Sequence, residues 1–295
     1  MNNNLKGILL AAGKGTRLMP ASMPLSKPLL PLYDKPMIYY PLETLIRIGV
    51  KDILFIVQEE DIPVYKNVFG NGEDVGLNFY YEVQQTQRGI SDAYVIAENF
   101  LNSSPSVLAL CDNVFLGINY FDYAKLALDK MIKNGASIFA IQAENPKKFG
   151  VIELDKNENI VGIEEKPEKP KSNLVIPGMY FFDKEATELV KQIKPSKRGE
   201  LEITDLIKLY LKNKKLGLQI LDNSIKWHDT GNSQAMIEAS ISIRNYEKEN
   251  KLKIGLYEIA AFEMGFIDKK QLLKLAQKFN KSDYGKFIVE YSKNY

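Results

Sequence analysis

The sequence predicts an α/β fold, a mixed but mostly parallel sheet flanked by helices, with a helical C-terminal appendage. Short apolar runs alternate with helix-like segments through the first half, the order that builds parallel strands. The second half opens on a hairpin pattern, which mixes the sheet. Toward the C-terminus the apolar residues recur at helical spacing.

Residues 7–12 are a short apolar run that stops at Gly13-Lys14-Gly15-Thr16-Arg17, a buried strand delivering a glycine loop. Pro36 opens a helix-like segment in which Ile38, Leu42, Leu45, Ile46 and Ile48 are apolar, closed by Gly49. Residues 52–57 and 79–83 read as the second and third strands, and 93–100 as helical. A fourth strand, 107–110, ends at Cys111-Asp112-Asn113. In such sheets ligands collect at the carboxyl ends of the strands, so the glycine loop and Asp112 can face one crevice.

Further on, 151–154 and 160–164 flank Asp155-Lys156-Asn157-Glu158-Asn159 as a hairpin. Pro167, Pro170 and Pro177 punctuate the approach to an apolar strand at 178–182. Helical patterns cover 185–193, 203–211 and 234–246. Asp268 then starts a helix with Leu272, Leu275, Ala276 and Phe279 on one face. No internal repeat or low-complexity linker interrupts the chain.

Composition narrows the chemistry. The 295 residues include one cysteine, Cys111, and one histidine, His228. A disulfide within the chain, a structural zinc site of about four Cys/His ligands and most nucleophile–base machines are therefore excluded. Carboxylates, lysines, arginines, hydroxyls and backbone groups must carry the reaction. With 39 Lys+Arg against 37 Asp+Glu, no global charge draws the chain to nucleic acid or to an anionic membrane. Met1-Asn2-Asn3-Asn4-Leu5-Lys6 lacks a leader pattern, and no run approaches the roughly 18 apolar residues of a membrane helix. A reduced, cytoplasmic protein is the expectation.

The glycine loop is neither a Walker A motif, since Gly15 follows Lys14, nor a dinucleotide fingerprint, since Leu18 stands at the third glycine. What remains is Gly13-x-Gly15-Thr16-Arg17, followed by Ser26-Lys27-Pro28. Small residues let backbone N–H groups approach a polyphosphate, while Arg17 and Lys27 neutralise it. Spacing alone also allows a plain strand-to-helix turn with two solvated cations. In the same way Asp112 alone reads as a cap, Glu164-Glu165-Lys166 as a solvated charge run, and Asp229-Thr230-Gly231 as a turn.

Together these stretches resemble the sugar-1-phosphate nucleotidylyltransferases, most of all the thymidylyl-transferring members. The resemblance runs through 10–18, Ser26-Lys27-Pro28-Leu29-Leu30-Pro31, 35–41, Gln84, Asp112-Asn113, Gly150-Val151 and Glu164-Glu165-Lys166-Pro167. It continues through 170–173, 198–205, Trp227-His228-Asp229-Thr230-Gly231 and Gly265-Phe266-Ile267-Asp268, in order over nearly the whole chain.

The resemblance implies a Rossmann-like nucleotidyltransferase fold and the joining of dTTP to glucose 1-phosphate, with pyrophosphate released. A phosphate oxygen attacks the α-phosphorus in line, a reaction that needs positioning and charge neutralisation more than an acid or a base. It implies that Ala12, Gly13, Gly15, Thr16 and Arg17 cradle the triphosphate, and that Lys27 joins them. Lys166 is assigned to the sugar phosphate, and Gln84 with the backbone at Gly89 to the base. Gly150, Glu165, Ile176 and Thr204 would line the sugar pocket. Asp112 and Asp229 would hold Mg²⁺, a hard ion that takes one or two carboxylates plus substrate phosphates. If both aspartates converge on the ion from extended segments, Cys111 and His228 beside them point away.

The implied organisation is a body over 1–231, with a nucleotide part to about 115 and a sugar part from about 116. Residues 232–295 would make the subunit contacts of a homotetramer. The implied role is the supply of activated sugar for deoxysugar and polysaccharide synthesis.

The chain departs from the family pattern at Ala12, Pro28, Cys111, Phe149 and His228. The largest change follows Gln84, where Gln85-Thr86-Gln87-Arg88-Gly89-Ile90-Ser91-Asp92-Ala93 replaces the usual Pro-Ser-Pro-Asp-Gly-Leu-Ala-Gln-Ala. Two stiffening prolines are gone, and Arg88 stands where an acid is usual. The choice between dTTP and UTP, and the exact sugar, stay open on this reading.

Overall fold

The computed structural model describes residues 4–295; Met1 to Asn3, at the start of the segment read above for a leader, lie outside them. In chain order the first half holds β1 (Lys6–Leu10), β2 (Pro31–Leu32), β3 (Lys35–Pro36), α1 (Tyr39–Arg47), β4 (Asp52–Val57), α2 (Ile62–Phe69) and β5 (Asn78–Val83). Then come α3 (Asp92–Ile96), α4 (Glu98–Leu101), β6 (Ser106–Leu110), β7 (Asn113–Leu116), α5 (Tyr120–Asn134) and β8 (Ala136–Gln142). The second half contributes β9 (Gly150–Leu154), β10 (Ile160–Glu165), β11 (Leu174–Ile176), β12 (Met179–Phe182), α6 (Ala186–Leu189), α7 (Ile203–Lys212), β13 (Leu216–Ile220) and β14 (Lys226–Asp229). Helices α8 (Ser233–Asn250), α9 (Tyr257–Glu263), α10 (Lys269–Gln277) and α11 (Asp283–Ser292) complete the chain.

Ten strands form one sheet in the order β10-β9-β11-β8-β12-β6-β1-β4-β5, with β13 added beside β8. Strands β6, β1, β4 and β5 are parallel neighbours, and β12 joins that block to the mixed half by antiparallel pairing on both sides. The period-2 alternation of a strand explains how both faces are covered. Leu9 of β1 joins Phe55, Leu45, Ala127, Ile259 and Leu272 on one face. Its neighbour Ile8 joins Leu54, Tyr94, Leu206 and Tyr210 on the other. Each fully buried side chain of this kind contributes about 1.5–3 kcal/mol. Helix α8 packs Ala239 and Ile243 against Leu32, Met37, Tyr40, Val114 and Leu116, which ties the C-terminal segment to the loop region.

Three expected boundaries move, each for a local reason. Pro36 does not open α1; Pro31–Leu32 and Lys35–Pro36 pair as a tight hairpin, with Tyr33 at φ 64, and the helix begins at Tyr39. The predicted helix over 93–100 breaks at Ala97, whose φ of −81 and ψ of 0 separate α3 from α4. The pattern at 185–193 divides into α6 and a 3₁₀ turn at Val190–Gln192. Among the described residues, no helix is long and apolar enough to cross a membrane.

Gly76 shows how the appendage is keyed to the body. It sits at φ +68, and a Cβ there would lie 2.2 Å from the Phe266 carbonyl oxygen. Gly76→Ala therefore combines a disfavoured backbone with overlap against backbone. A loss of about 2–4 kcal/mol is expected. Urea unfolding checks it, and a change below about 0.5 kcal/mol would show that the two segments separate freely.

Candidate functional site

Strand β1 is followed by buried Ala11 and Ala12, after which the chain enters the glycine loop. Gly15 takes φ +59, and a Cβ there would press within 3.0 Å of the Lys27 Cβ and 3.2 Å of the Ser22 Cβ. Ser22 Oγ donates to the Gly15 carbonyl at 2.8 Å and holds the turn. Gly13 has open space around it, and Thr16 and Arg17 are exposed.

The loop lies between two cavities. Arg17 lines one of about 440 Å³ with Asp112, Gly150, Glu165, Lys166, Ile176, Thr204 and Asp229. Ala12, Lys14 and Gln84 line the other, of about 500 Å³. Gly13, Gly15, Thr16, Lys27 and Gly89 stand beside these walls rather than in them. Gly89, at φ +103, is pressed against Leu201, whose carbonyl oxygen a Cβ would approach to 2.5 Å.

Behind the glycine loop, buried Lys27 pairs through Nζ with Asp112 Oδ2 at 2.6 Å. The other carboxylate oxygen accepts from Asn113 Nδ2 at 2.8 Å. Strand β14 pairs with β7 so that Asp229 lies opposite Asn113, and Thr230 donates from its N–H and Oγ1 to the Asp112 carbonyl at 3.0 and 2.9 Å. This brings Asp229 to Asp112. Burial, then the charge of Asp112, pushes the Asp229 carboxyl up, opposed by Lys27, Arg17 and Lys148. A Cβ on Gly231 would contact Arg17 and Asp229 at 3.3 and 3.4 Å, which places the turn against both side chains.

Elsewhere on the same cavity wall, the four residues that the resemblance assigns to one pocket meet at one point. A Cβ on Gly150 would lie 2.7 Å from Thr204 Cγ2, 3.4 Å from Glu165 Oε2 and 3.5 Å from Ile176 Cδ1. Ladder register causes this, because both Glu165 of β10 and Ile176 of β11 face Gly150 of β9. Burial holds the Glu165 carboxyl above its usual range against the pull of Lys166, with Glu202 adding to the rise. Thr204 Oγ1 is buried, with no hydrogen-bond partner among the described residues. Lys166 takes φ 44, a backbone that non-glycine residues seldom adopt, with Nζ 3.8 Å from Glu165 Oε1.

A family model described as nucleotidyl transferase matches residues 6–246. The chain belongs to the nucleotidyl transferase family. It is 41% identical over 285 residues to the glucose-1-phosphate thymidylyltransferase of Neisseria meningitidis, covering 97% of this chain and 98% of that one. With the Mycobacterium tuberculosis protein of the same name it shares 39% over 286 residues, covering 97% and 98%. The crystal structure of a Bacillus anthracis protein assigned as a glucose-1-phosphate thymidylyltransferase, in complex with sucrose, superposes with a TM-score of 0.74 at 34% identity. That match covers 82% of this chain and 96% of the other. A UDP-glucose pyrophosphorylase complexed with UDP-glucose reaches 0.72 at 25% identity, covering 82% and 98%.

Several residues of this nucleotidyl transferase site carried no sequence-based assignment. Asn113 is a hub, accepting at Oδ1 from Gly178 N–H at 3.0 Å and Trp227 Nε1 at 2.7 Å while donating to Asp112. A faint signal for it existed in Gly178, where a Cβ would strike Asn113 at 2.6 Å. Lys147 and Lys148 also line the first cavity. Gln58 and Gln87 each donate through Nε2 to the Ala12 carbonyl at 2.9 Å and shape the second.

Cys111 sits in the apolar core, its thiol pushed up by burial, and outside the cavity wall. His228 pairs opposite Val114, with burial and then Lys226 lowering its ring, and it is also outside the wall. Neither rare residue lines the cavity that Asp112 and Asp229 share.

Proposed function

We propose that this chain transfers a thymidylyl group from dTTP to glucose 1-phosphate, producing dTDP-glucose and pyrophosphate. The observation that carries this reading is the glycine loop lying between the two cavities, with Gln84 in one and Glu165 and Thr204 in the other. A base beside Gln84 and a hexose beside Glu165 and Thr204 would bring their phosphates together over Arg17, Lys27 and Lys166.

In this reading the sugar phosphate oxygen attacks the α-phosphorus in line, and no covalent bond to the protein forms. Lys166 holds the attacking phosphate, while Lys27 and Arg17 bind the triphosphate, with Arg17 on the departing pyrophosphate. Lysines suit moving oxygens, being compact point charges. Two neighbouring carboxylates that repel each other, Asp112 and Asp229, fit a hard divalent ion. Mg²⁺ held by them would neutralise charge on the phosphates. Orphaned Thr204 Oγ1 and Glu165 offer hydrogen bonds to sugar hydroxyls.

The thymidylyl choice rests on relatives of that name at 41% identity over 97% of the chain, against 25% over 82% for the uridylyl structure. We place the enzyme in the cytoplasm as a homotetramer, with 1–231 as the transferase body and 232–295 forming subunit contacts. Ile237 and Ile241, 55% and 46% exposed one turn apart on α8, support a contact face there.

A pyrophosphate-release assay over the common nucleoside triphosphates and several sugar 1-phosphates tests the reading. Turnover is expected with dTTP and glucose 1-phosphate; release with no pair would leave only a nucleotide-sugar sensor, and a clear UTP preference would replace the thymidylyl assignment. Thr204→Val should raise KM for the sugar phosphate about 5- to 20-fold with a smaller effect on kcat, the value of one hydrogen bond. An unchanged KM would remove Thr204 from the sugar pocket.

A further inference from the structure

We propose that Asp92 is a positioning residue that fixes the Gln84 side-chain amide. Only the carbonyl oxygen of Gln84 then faces the base cavity, and the site takes a pyrimidine that carries a ring N–H, such as thymine or uracil, and rejects cytosine. The inference rests on the reading that this cavity holds a pyrimidine base.

Gln84 follows β5 directly and is 7% exposed, and Asp92, in the first turn of α3, is 1% exposed. Gln84 Nε2 donates to Asp92 Oδ2 at 3.0 Å, while Arg88, four residues earlier in the loop before α3, donates to Asp92 Oδ1 at 2.7 Å. An ionised carboxylate only accepts hydrogen bonds, so the amide nitrogen must be the end that meets it. Rotating the amide by half a turn would set two acceptor oxygens about 3 Å apart in a buried place and strand the nitrogen. Gln84 Oε1 accepts no hydrogen bond from the described residues, and the residue lines the cavity beside Ala12 and Lys14.

Arg88 sets its guanidinium charge against the buried carboxylate, while its own side chain remains 54% exposed. The loop that carries both is pinned without prolines. Gln87 bonds the Ala12 carbonyl at 2.9 Å, and Ser91 N–H and Oγ bond Leu201 and Glu202 carbonyls at 3.1 and 3.0 Å. The sequence features that depart most from the family pattern thus form one device. An acceptor held in this orientation complements a ring N–H and opposes the ring acceptor of cytosine, and a site built for one hydrogen-bonding pattern discriminates strongly against its inverse.

The test compares kcat/KM for dTTP, dUTP and dCTP, with glucose 1-phosphate, in the wild type and in Asp92→Asn. The isosteric amide can donate to Gln84 Oε1 and so permits the flipped orientation. The wild type should prefer dTTP over dCTP by about 100-fold or more, with dUTP within about tenfold of dTTP. Asp92→Asn should lower the dTTP/dCTP ratio at least about tenfold, with the loss for dTTP appearing in KM rather than kcat. An unchanged ratio in a variant that melts like the wild type overturns the clamp. If that variant does not fold, the wild-type comparison decides: rejection of dCTP alone supports it, and dCTP used within about tenfold of dTTP overturns it. Equal use of dTTP and dCTP would leave the thymidylyl reading standing; use of purine triphosphates only would sink both.

Discussion

Replacing Asp112 with Asn is expected to lower metal-dependent turnover by about 10³-fold or more, roughly 4 kcal/mol of transition-state stabilisation. Asp112 does three things that an amide cannot. It offers an anionic oxygen to a divalent ion, it pairs with the buried Lys27 at 2.6 Å, and its charge acts on Asp229. The substitution keeps the shape and leaves the Asn113 and Thr230 bonds to this segment largely in place, so the fold should survive. Loss of Asp112's charge also removes a repulsion that raises the Asp229 carboxyl, which then ionises more readily yet would hold a metal alone. Steady-state rates across a Mg²⁺ titration check the prediction. Near wild-type rates at ordinary Mg²⁺ would remove Asp112 from the metal site.

The second large effect is Lys27→Met, expected to reduce kcat by about 10²–10³-fold, the scale for one charged contact to a developing oxyanion. The buried ammonium pairs with Asp112, and its positive charge opposes the rise of the Asp229 carboxyl. Without it, Asp229 rises further above the usual carboxylate range. Because the ionised form is the one that binds a metal, the acid limb of the pH–rate profile should move to higher pH. A kcat within threefold of wild type, with an unmoved acid limb, would assign Lys27 to structure alone. Methionine fills the buried stem volume, so a melting curve near that of the wild type separates the two outcomes.

Both predictions concern residues that stand far apart along the chain, and this is where the sequence is least informative. The parallel block was legible because buried strands leave short apolar runs, as at Asp52–Val57. The glycine loop was legible because a strand stops abruptly in small and cationic residues. The hairpin at Lys35–Pro36 was not, since Pro36 carries the same signal for a helix start as for an edge position in a two-residue ladder. Strand β14 was equally hidden: Lys226–Asp229 is short and half polar, and it is a strand because β7 pairs with it.

Resemblance named Gly150, Glu165, Ile176 and Thr204 for one pocket, but nothing local brings them together. The β9–β10 and β9–β11 registers do, and a slip of one residue would turn each side chain to the other face. Lys147, Lys148 and Asn113 had no assignment because an exposed charge pair and an amide after an aspartate are common at any surface.

By itself, the sequence determined the chemistry that was available. One cysteine, one histidine and a supply of lysines, arginines and carboxylates left charge neutralisation as the means of catalysis, and the motif order specified the family. The tertiary structure alone decided which of those charges meet. It set Lys27 on Asp112, brought Asp229 beside them through the β7–β14 ladder, and turned Asp92 onto Gln84. The physical reason is that apolar periodicity is written locally in the chain, whereas ion pairs and amide orientations depend on distances of about 3 Å between segments that only sheet register fixes.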